Sequence, residues 1–292
     1  AENYTVSSSV TNVQISSVSG STKSGNSGDD THQFTGSLFI SGSSISLGDG
    51  NNNVVLGNNV TSNVRASTYS TYIGYQAAGG NSSTELGGQS ITVVGWGAGQ
   101  RMQQNPHRTT LVGALAGAYL NVGLDNTFVG SDAGFNLTVA DKNVFVGSGA
   151  GYQTVDVDNA VIIGYRAGYS NMTSAADGTI AIGHQAGYAL TTGVQNTVIG
   201  YEAMKTGNNI QYNTVIGYQA WTLAPAGANH NVVIGAGAGA GVSANSDSNV
   251  IIGSAAGTGG GASLMGVIAI GHSAMNATDD NAVTGTIAIG YE

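Results

Sequence analysis

Histidine and the carboxylates, the side chains that most often carry chemistry, are sparse in this chain and are not grouped. The 5 histidines stand far apart in the sequence: His32, His107, His184, His230 and His272. Three of the four glutamates are candidates for acid–base catalysis, but none has a second carboxylate at a suitable spacing: Glu85, Glu202 and Glu292. We therefore predict a protein that is not an enzyme, with no catalytic residue, no metal site and no cofactor.

Several aspartates fall in predicted turns, where carboxylate oxygens could approach a calcium ion. They are Asp156, Asp158, Asp247, Asp279 and Asp280. No glycine-rich nonapeptide calcium repeat accompanies them. Calcium at these turns is kept as an alternative to a purely structural role.

The composition argues against several classes of binding partner and structural site. The chain of 292 residues has a net charge of -9, and its 7 Lys and Arg are scattered, so no basic patch is present to hold a phosphate backbone. It contains 0 Cys, which excludes disulfides and cysteine-bound zinc. No run of about 18 apolar residues occurs, so no membrane span is predicted. Nucleic acid is not an expected partner.

One set of tyrosines recurs at a fixed place, directly after a glycine that follows a short apolar triplet. These are Tyr75, Tyr165, Tyr201 and Tyr218, and His184 and His272 take the same place in other copies. Aromatic rings facing solvent can stack against sugar rings. The four tyrosines are thus candidate contacts for a surface glycan. The alternative is that the rings only stack on one another along the molecule.

The element that must position these rings is a repeat. The segment at 196–204, Asn-Thr-Val-Ile-Gly-Tyr-Glu-Ala-Met, returns at 213–221 as Asn-Thr-Val-Ile-Gly-Tyr-Gln-Ala-Trp. The glycines of this pattern, here called pivot glycines, lie 17 to 21 residues apart. There are fourteen of them: Gly57, Gly74, Gly95, Gly113, Gly130, Gly147, Gly164, Gly183, Gly200, Gly217, Gly235, Gly253, Gly271 and Gly290. A near-fixed period of this length indicates a repeat architecture.

The residues around each pivot glycine define the fold. The three residues before it are apolar and mostly β-branched, which predicts a short strand. The third residue after it is alanine in twelve copies, from Ala77 to Ala274, which indicates close packing. We predict an all-β protein: a parallel β-solenoid or β-roll of about fourteen coils of 17–21 residues.

A helix built of hexapeptides is a different solution for a period of about 18, and the sequence argues against it. It requires an aliphatic residue six positions after the residue that precedes the pivot glycine. That position instead holds residues such as Phe135, Tyr152, Tyr169 and Tyr188. An acyltransferase function, which that helix would suggest, is not supported.

The chain divides into three parts. Residues 1–33 are rich in Ser, Gly and Asp and are predicted to be a linker or a segment for attachment to a virion or cell-surface anchor. Residues 34–52 are predicted to form entry strands that cap the solenoid. Residues 53–292 form the repeat shaft.

Both faces of the predicted strands are apolar, as in Thr214 and Ile216 against Val215. One face must pack inside the coil, and something else must cover the other, most economically another copy of the chain. We expect Ile199 to lie between packed coils.

Seven coils also carry an asparagine four residues before the pivot glycine. We interpret it as a turn residue in the left-handed conformation whose side-chain amides stack into a ladder from coil to coil. These residues are Asn53, Asn126, Asn143, Asn196, Asn213, Asn231 and Asn249.

The segments Asn-Thr-Val-Ile-Gly-Tyr-Gln-Ala at 213–220 and Thr-Ile-Ala-Ile-Gly-His-Gln-Ala-Gly at 179–187 resemble repeats of two families. One is the head of trimeric autotransporter adhesins, and the other is the β-solenoid shaft of bacteriophage tail fibres. The resemblance covers about residues 53–292. It implies three chains intertwined in a homotrimeric rod, located on a virion or outside the cell. The expected function is a phage tail fibre that attaches to a host cell surface, with a bacterial adhesin or filament subunit as the alternative.

The sequence stops at Glu292 within a repeat. Many fibre proteins of the type it resembles are made with a C-terminal chaperone that is later released by self-cleavage. On that resemblance, Glu292 is a candidate processing site.

Overall fold

The computed structural model describes most of the repeat region. The described residues are 52–57, 60, 67–79, 87–102, 106–240, 242–243, 245–258, 263–276 and 282–291. The predicted linker at 1–33 and the predicted capping strands at 34–52 lie outside these ranges, except for Asn52. Asp279, Asp280 and the candidate processing site Glu292 also lie outside them. No helix in the described ranges is long and apolar enough to cross a membrane.

The strands are short, and each one that ends at a pivot glycine has three residues. In chain order they are β1 (Val54–Leu56), β2 (Thr71–Ile73), β3 (Thr92–Val94), β4 (Thr110–Val112), β5 (Thr127–Val129), β6 (Val144–Val146), β7 (Val161–Ile163), β8 (Ile180–Ile182), β9 (Thr197–Ile199), β10 (Thr214–Ile216), β11 (Val232–Ile234), β12 (Val250–Ile252), β13 (Leu264–Met265), β14 (Ile268–Ile270), β15 (Val283–Thr284) and β16 (Ile287–Ile289). A single 3-10 turn, Ser174–Ala176, is the helical element of the described chain.

Successive coils stack so that equivalent residues pair. Fourteen of the strands form one parallel sheet in sequence order, with β13 and β15 paired separately. The register follows the repeat: Thr197 pairs with Thr214 and Ile199 with Ile216. The predicted all-β parallel solenoid is therefore confirmed, with about twelve turns.

A second wall of the solenoid is built from single parallel bridges. Val139 bridges to Val122 on one side and to Asp156 on the other, and Thr192 bridges to Asn209. The β13–β15 pair continues this arrangement near the end of the chain. Because both walls keep the same stacking direction, a side chain in one coil lies above its counterpart in the next.

The interior is filled by the middle residue of each strand and by the repeated alanine. Val198, Val215 and Ala203 are fully buried, whereas the residues on either side of each strand centre are half-buried in β2 to β12 and β14. The sequence predicted two apolar faces without deciding which one is internal. Ile199, which the sequence placed between packed coils, pairs with Ile182 and Ile216 of the neighbouring coils and is half-buried, whereas Val198 is fully buried. Since side chains alternate along a strand, Ile199 lies on the outer face and Val198 on the inner one.

The pivot glycines stack directly on one another. Gly200 has φ +139°, a region that residues with a β-carbon rarely adopt, and a β-carbon there would lie 2.2 Å from the carbonyl oxygen of Gly217. The same contact, to the next pivot glycine, is found at every pivot before the last described coil. Glycine at this position is therefore required by the spacing of the coils as well as by the backbone angle.

The repeated asparagines form a buried amide ladder, as predicted. Asn213 donates its backbone N–H and Nδ2–H to Oδ1 of Asn196, at 3.1 Å each, and its own Oδ1 accepts from Asn231 at 2.9 Å. The left-handed conformation belongs to the preceding residue, for example Tyr212 with φ 60°, and not to the asparagine. The ladder pairs polar groups that would otherwise be buried at a cost.

Candidate functional site: an aromatic surface on the solenoid

Three of the four tyrosines singled out in the sequence, together with His184, form a stack along the outside of the solenoid. The rings of Tyr165, His184, Tyr201 and Tyr218 follow one another with centroid separations of 5.3, 4.8 and 5.3 Å. We call these residues the first stack. Tyr75 takes the equivalent place in an earlier coil and is 46% exposed.

Stacking limits what these rings can bind. The faces of His184 and Tyr201 are both covered by neighbouring rings, so only their edges reach solvent. A sugar that packs on an aromatic face needs a free face. Within the first stack, only the two end rings, Tyr165 and Tyr218, each have a face that no neighbouring ring of the stack covers.

A second stack runs beside the first and was missed in the sequence. The rings of Phe135, Tyr152, Tyr169 and Tyr188 follow one another at 5.0, 5.2 and 5.1 Å, with Tyr119 edge-on to Phe135. Phe135, Tyr152, Tyr169 and Tyr188 each lie five residues after a pivot glycine. The recurrence of an aromatic residue at this one repeat position is visible in the sequence and could have predicted the second stack.

A shallow cleft of about 230 Å³ opens where the first stack begins. Its walls are Tyr165 from the first stack, Tyr152 and Tyr169 from the second, and Arg166. The preceding coil contributes two small residues, Ser148 and Gly149, at the positions that Tyr165 and Arg166 take in the next coil, and Asp132 completes the lining. Clefts that hold drug-sized ligands have about 300–1,000 Å³, so this one suits a single ring-sized group.

Arg166 joins the two stacks at the cleft. Its guanidinium carbon lies 5.1 Å from the ring centre of Tyr165 and 5.3 Å from that of Tyr169. The rings of Tyr165 and His184 are too close together to admit it between them, so it lies on the open side of Tyr165. In the described residues, the ion pairs are Arg108–Asp125 and Lys205–Glu202, and Arg166 has no carboxylate partner.

The tyrosine hydroxyls at the cleft supply neutral hydrogen-bonding groups. Burial raises the pKa of the Tyr152 hydroxyl, and the charge of the nearby Asp132 raises it further. The hydroxyl therefore remains protonated at neutral pH and can donate a hydrogen bond to a ligand.

Further along the first stack, the polar groups are already paired with one another. Lys205 Nζ lies 2.7 Å from Oε1 of Glu202, and Gln219 Nε2 donates to Oε2 at 3.0 Å. The hydrogen bond from Lys205, with that from Gln219, lowers the pKa of Glu202. This part of the surface offers a ligand fewer unpaired groups than the cleft does.

The turn aspartates within the described ranges do not converge on one site. Throughout the ranges that the structure describes, no three His, Asp or Glu side chains form a group that could hold a metal ion. Asp158 instead accepts a hydrogen bond from the backbone N–H of Asp141 at 2.6 Å, and Asp177 accepts one from Asp158 at 2.8 Å. Their carboxylates connect adjacent coils.

No model of a known protein family matches this chain, and no curated protein sequence shows significant similarity to it.

We expect Tyr201→Ser to lower stability by about 1–2 kcal/mol, since it removes two ring contacts from a residue that is still partly exposed. The matched control is Tyr69→Ser: Tyr69 is 67% exposed, and no described aromatic ring stacks on it. Thermal unfolding followed by circular dichroism checks this difference. Equal shifts for the two variants would show that the stack contributes nothing to stability.

Proposed function

We propose that this chain is a structural subunit of a bacteriophage tail fibre, in which three copies intertwine into a rod that attaches to a host cell surface. It acts as a non-enzymatic scaffold located on the virion. One observation carries the proposal above the others: the outer face of the fourteen-stranded sheet is uncharged and mostly apolar along its length.

That face consists of the first and third residues of each strand in the large sheet. It contains Val, Ile, Leu and Thr and no charged residue. In β2 to β12 these residues are half-buried in a single chain, and in the last strand Ile287 and Ile289 are 67% and 71% exposed. Stacked at about 4.8 Å per strand, the face extends for roughly 65 Å. Apolar surfaces of this extent are usually covered by another protein surface.

Another copy of the same chain fits such a face, because it would present the same repeat at the same spacing. The resemblance to fibre shafts and adhesin heads supports three copies and supports about fourteen coils in each. It also supports assigning residues 1–33 to attachment at the particle. The tyrosines at 75, 165, 201 and 218 are exposed, and within the first stack Tyr165 and Tyr218 keep a ring face that no neighbouring ring covers and that a host glycan would need.

Immunogold labelling with an antibody against the repeat region tests this function. We expect labelled fibres on purified phage particles. Labelling confined to the surface of bacterial cells that carry no phage would support the adhesin alternative and contradict the virion fibre. Labelling confined to the cell interior would contradict both.

A further inference from the structure

We propose that the cleft at Arg166 binds a sugar unit that carries a carboxylate, such as a uronic acid, within a host surface glycan. The choice of a glycan rests on the proposed attachment function. The choice of an acidic sugar, and of this place on the shaft, rests on the cleft itself.

The carboxylate is indicated by Arg166. A guanidinium that lies on an aromatic ring keeps its N–H groups directed outward in its own plane, where they can pair with a carboxylate through two hydrogen bonds. Arg166 lies over Tyr165 and has no carboxylate partner in the described chain, in contrast to Arg108, which pairs with Asp125. The site therefore presents an unpaired cation that is already held in position.

The hydroxylated ring is indicated by the rest of the lining. Ser148 and the tyrosine hydroxyls can donate and accept hydrogen bonds, and the Asp132 carboxylate can accept them from sugar hydroxyls. The edges of the Tyr152 and Tyr169 rings supply apolar surface beside these groups. A ligand with hydroxyls, C–H surface and one carboxylate uses all of them, whereas a simple anion uses only Arg166.

The small residues at the floor are what keep the cleft open. Ser148 occupies the place that holds Tyr in the coils of Tyr165, Tyr201 and Tyr218. A tyrosine at position 148 is therefore compatible with the repeat, and it would extend the first stack into the cleft. Ser148→Tyr therefore closes the site with a residue that this repeat position already holds in other coils.

The test measures binding of methyl β-glucuronide, methyl β-glucoside and acetate by saturation-transfer NMR on the full chain. We expect the glucuronide to bind at least about ten-fold more tightly than either of the other two, because only it uses both the guanidinium and the hydroxyl contacts. Arg166→Gln should lower the affinity for the glucuronide by about ten-fold or more and leave the affinity for the glucoside little changed. Ser148→Tyr should abolish binding of both sugars.

The matched control is Ser254→Tyr, which makes the same change at the equivalent exposed position of a distant coil and should bind as the unmodified protein does. Undetectable glucuronide binding, equal affinity for glucuronide and acetate, or unchanged binding in Arg166→Gln and Ser148→Tyr would each overturn the proposal. The oligomer mass is measured on the same samples. A trimer that does not bind the glucuronide refutes the cleft alone, whereas a monomer refutes the proposed fibre.

Discussion

Gly200→Ala is expected to prevent the solenoid from folding stably, with a loss of at least about 3 kcal/mol. The methyl group would lie 2.2 Å from the carbonyl oxygen of Gly217, and the backbone at φ +139° is strained for alanine even without that contact. Relief requires the two coils to move apart, which breaks the hydrogen bonds of the sheet between them. Soluble yield and the midpoint of thermal unfolding measure the effect.

The control for this change is Gly237→Ala in a later coil. Gly237 has φ +64°, and a β-carbon there would meet nothing within 4 Å. Only the ordinary cost of a left-handed residue applies, about 1 kcal/mol. If the two alanine variants lose the same stability, the close stacking of pivot glycines does not determine the spacing of the coils.

Val198→Asp is expected to have the second large effect. Val198 is fully buried at the centre of its strand, and its side chain belongs to the hydrophobic core of the solenoid. An unpaired carboxylate in such a place costs several kcal/mol or forces the protein to unfold. We expect an insoluble or unfolded product, judged by the absence of β-structure in circular dichroism.

Ile199→Asp, one residue further on, should behave differently. Its side chain lies on the outer face and is half-buried in a single chain, so the coil can form with the charge in water. In the proposed assembly the charge would lie between chains, and we expect folded material with reduced association. If both aspartate variants unfold alike while still monomeric, the assignment of inner and outer faces is wrong.

The strands and their stacking could be predicted because the physical signal is local. A triplet such as Thr-Val-Ile before glycine favours a strand by itself, and the repeat fixes which residues pair. The internal face could not be chosen from Thr214, Val215 and Ile216, because all three are compatible with a buried position. That choice depends on the whole turn, in which Ala220 and the buried asparagine ladder lie on the same side as Val215.

The candidate site could be predicted only in part for a similar reason. The tyrosines of the first stack share a position next to the pivot glycine and were visible as a set. The cleft depends on the small residues Ser148 and Gly149 lying one coil before Tyr165 and Arg166, and on their proximity to Tyr152 and Tyr169 from the second stack. Such a site becomes visible only when the coils are aligned in space.

In the proposed fibre, copies of this chain cover one another's apolar sheet face in a trimer. Native mass spectrometry of the purified protein tests it most directly, with sedimentation at several concentrations as support. We predict a single species of three times the chain mass of 29.1 kDa. A stable, soluble and folded species of one chain mass would contradict the claim, because its outer sheet face would then remain uncovered in water.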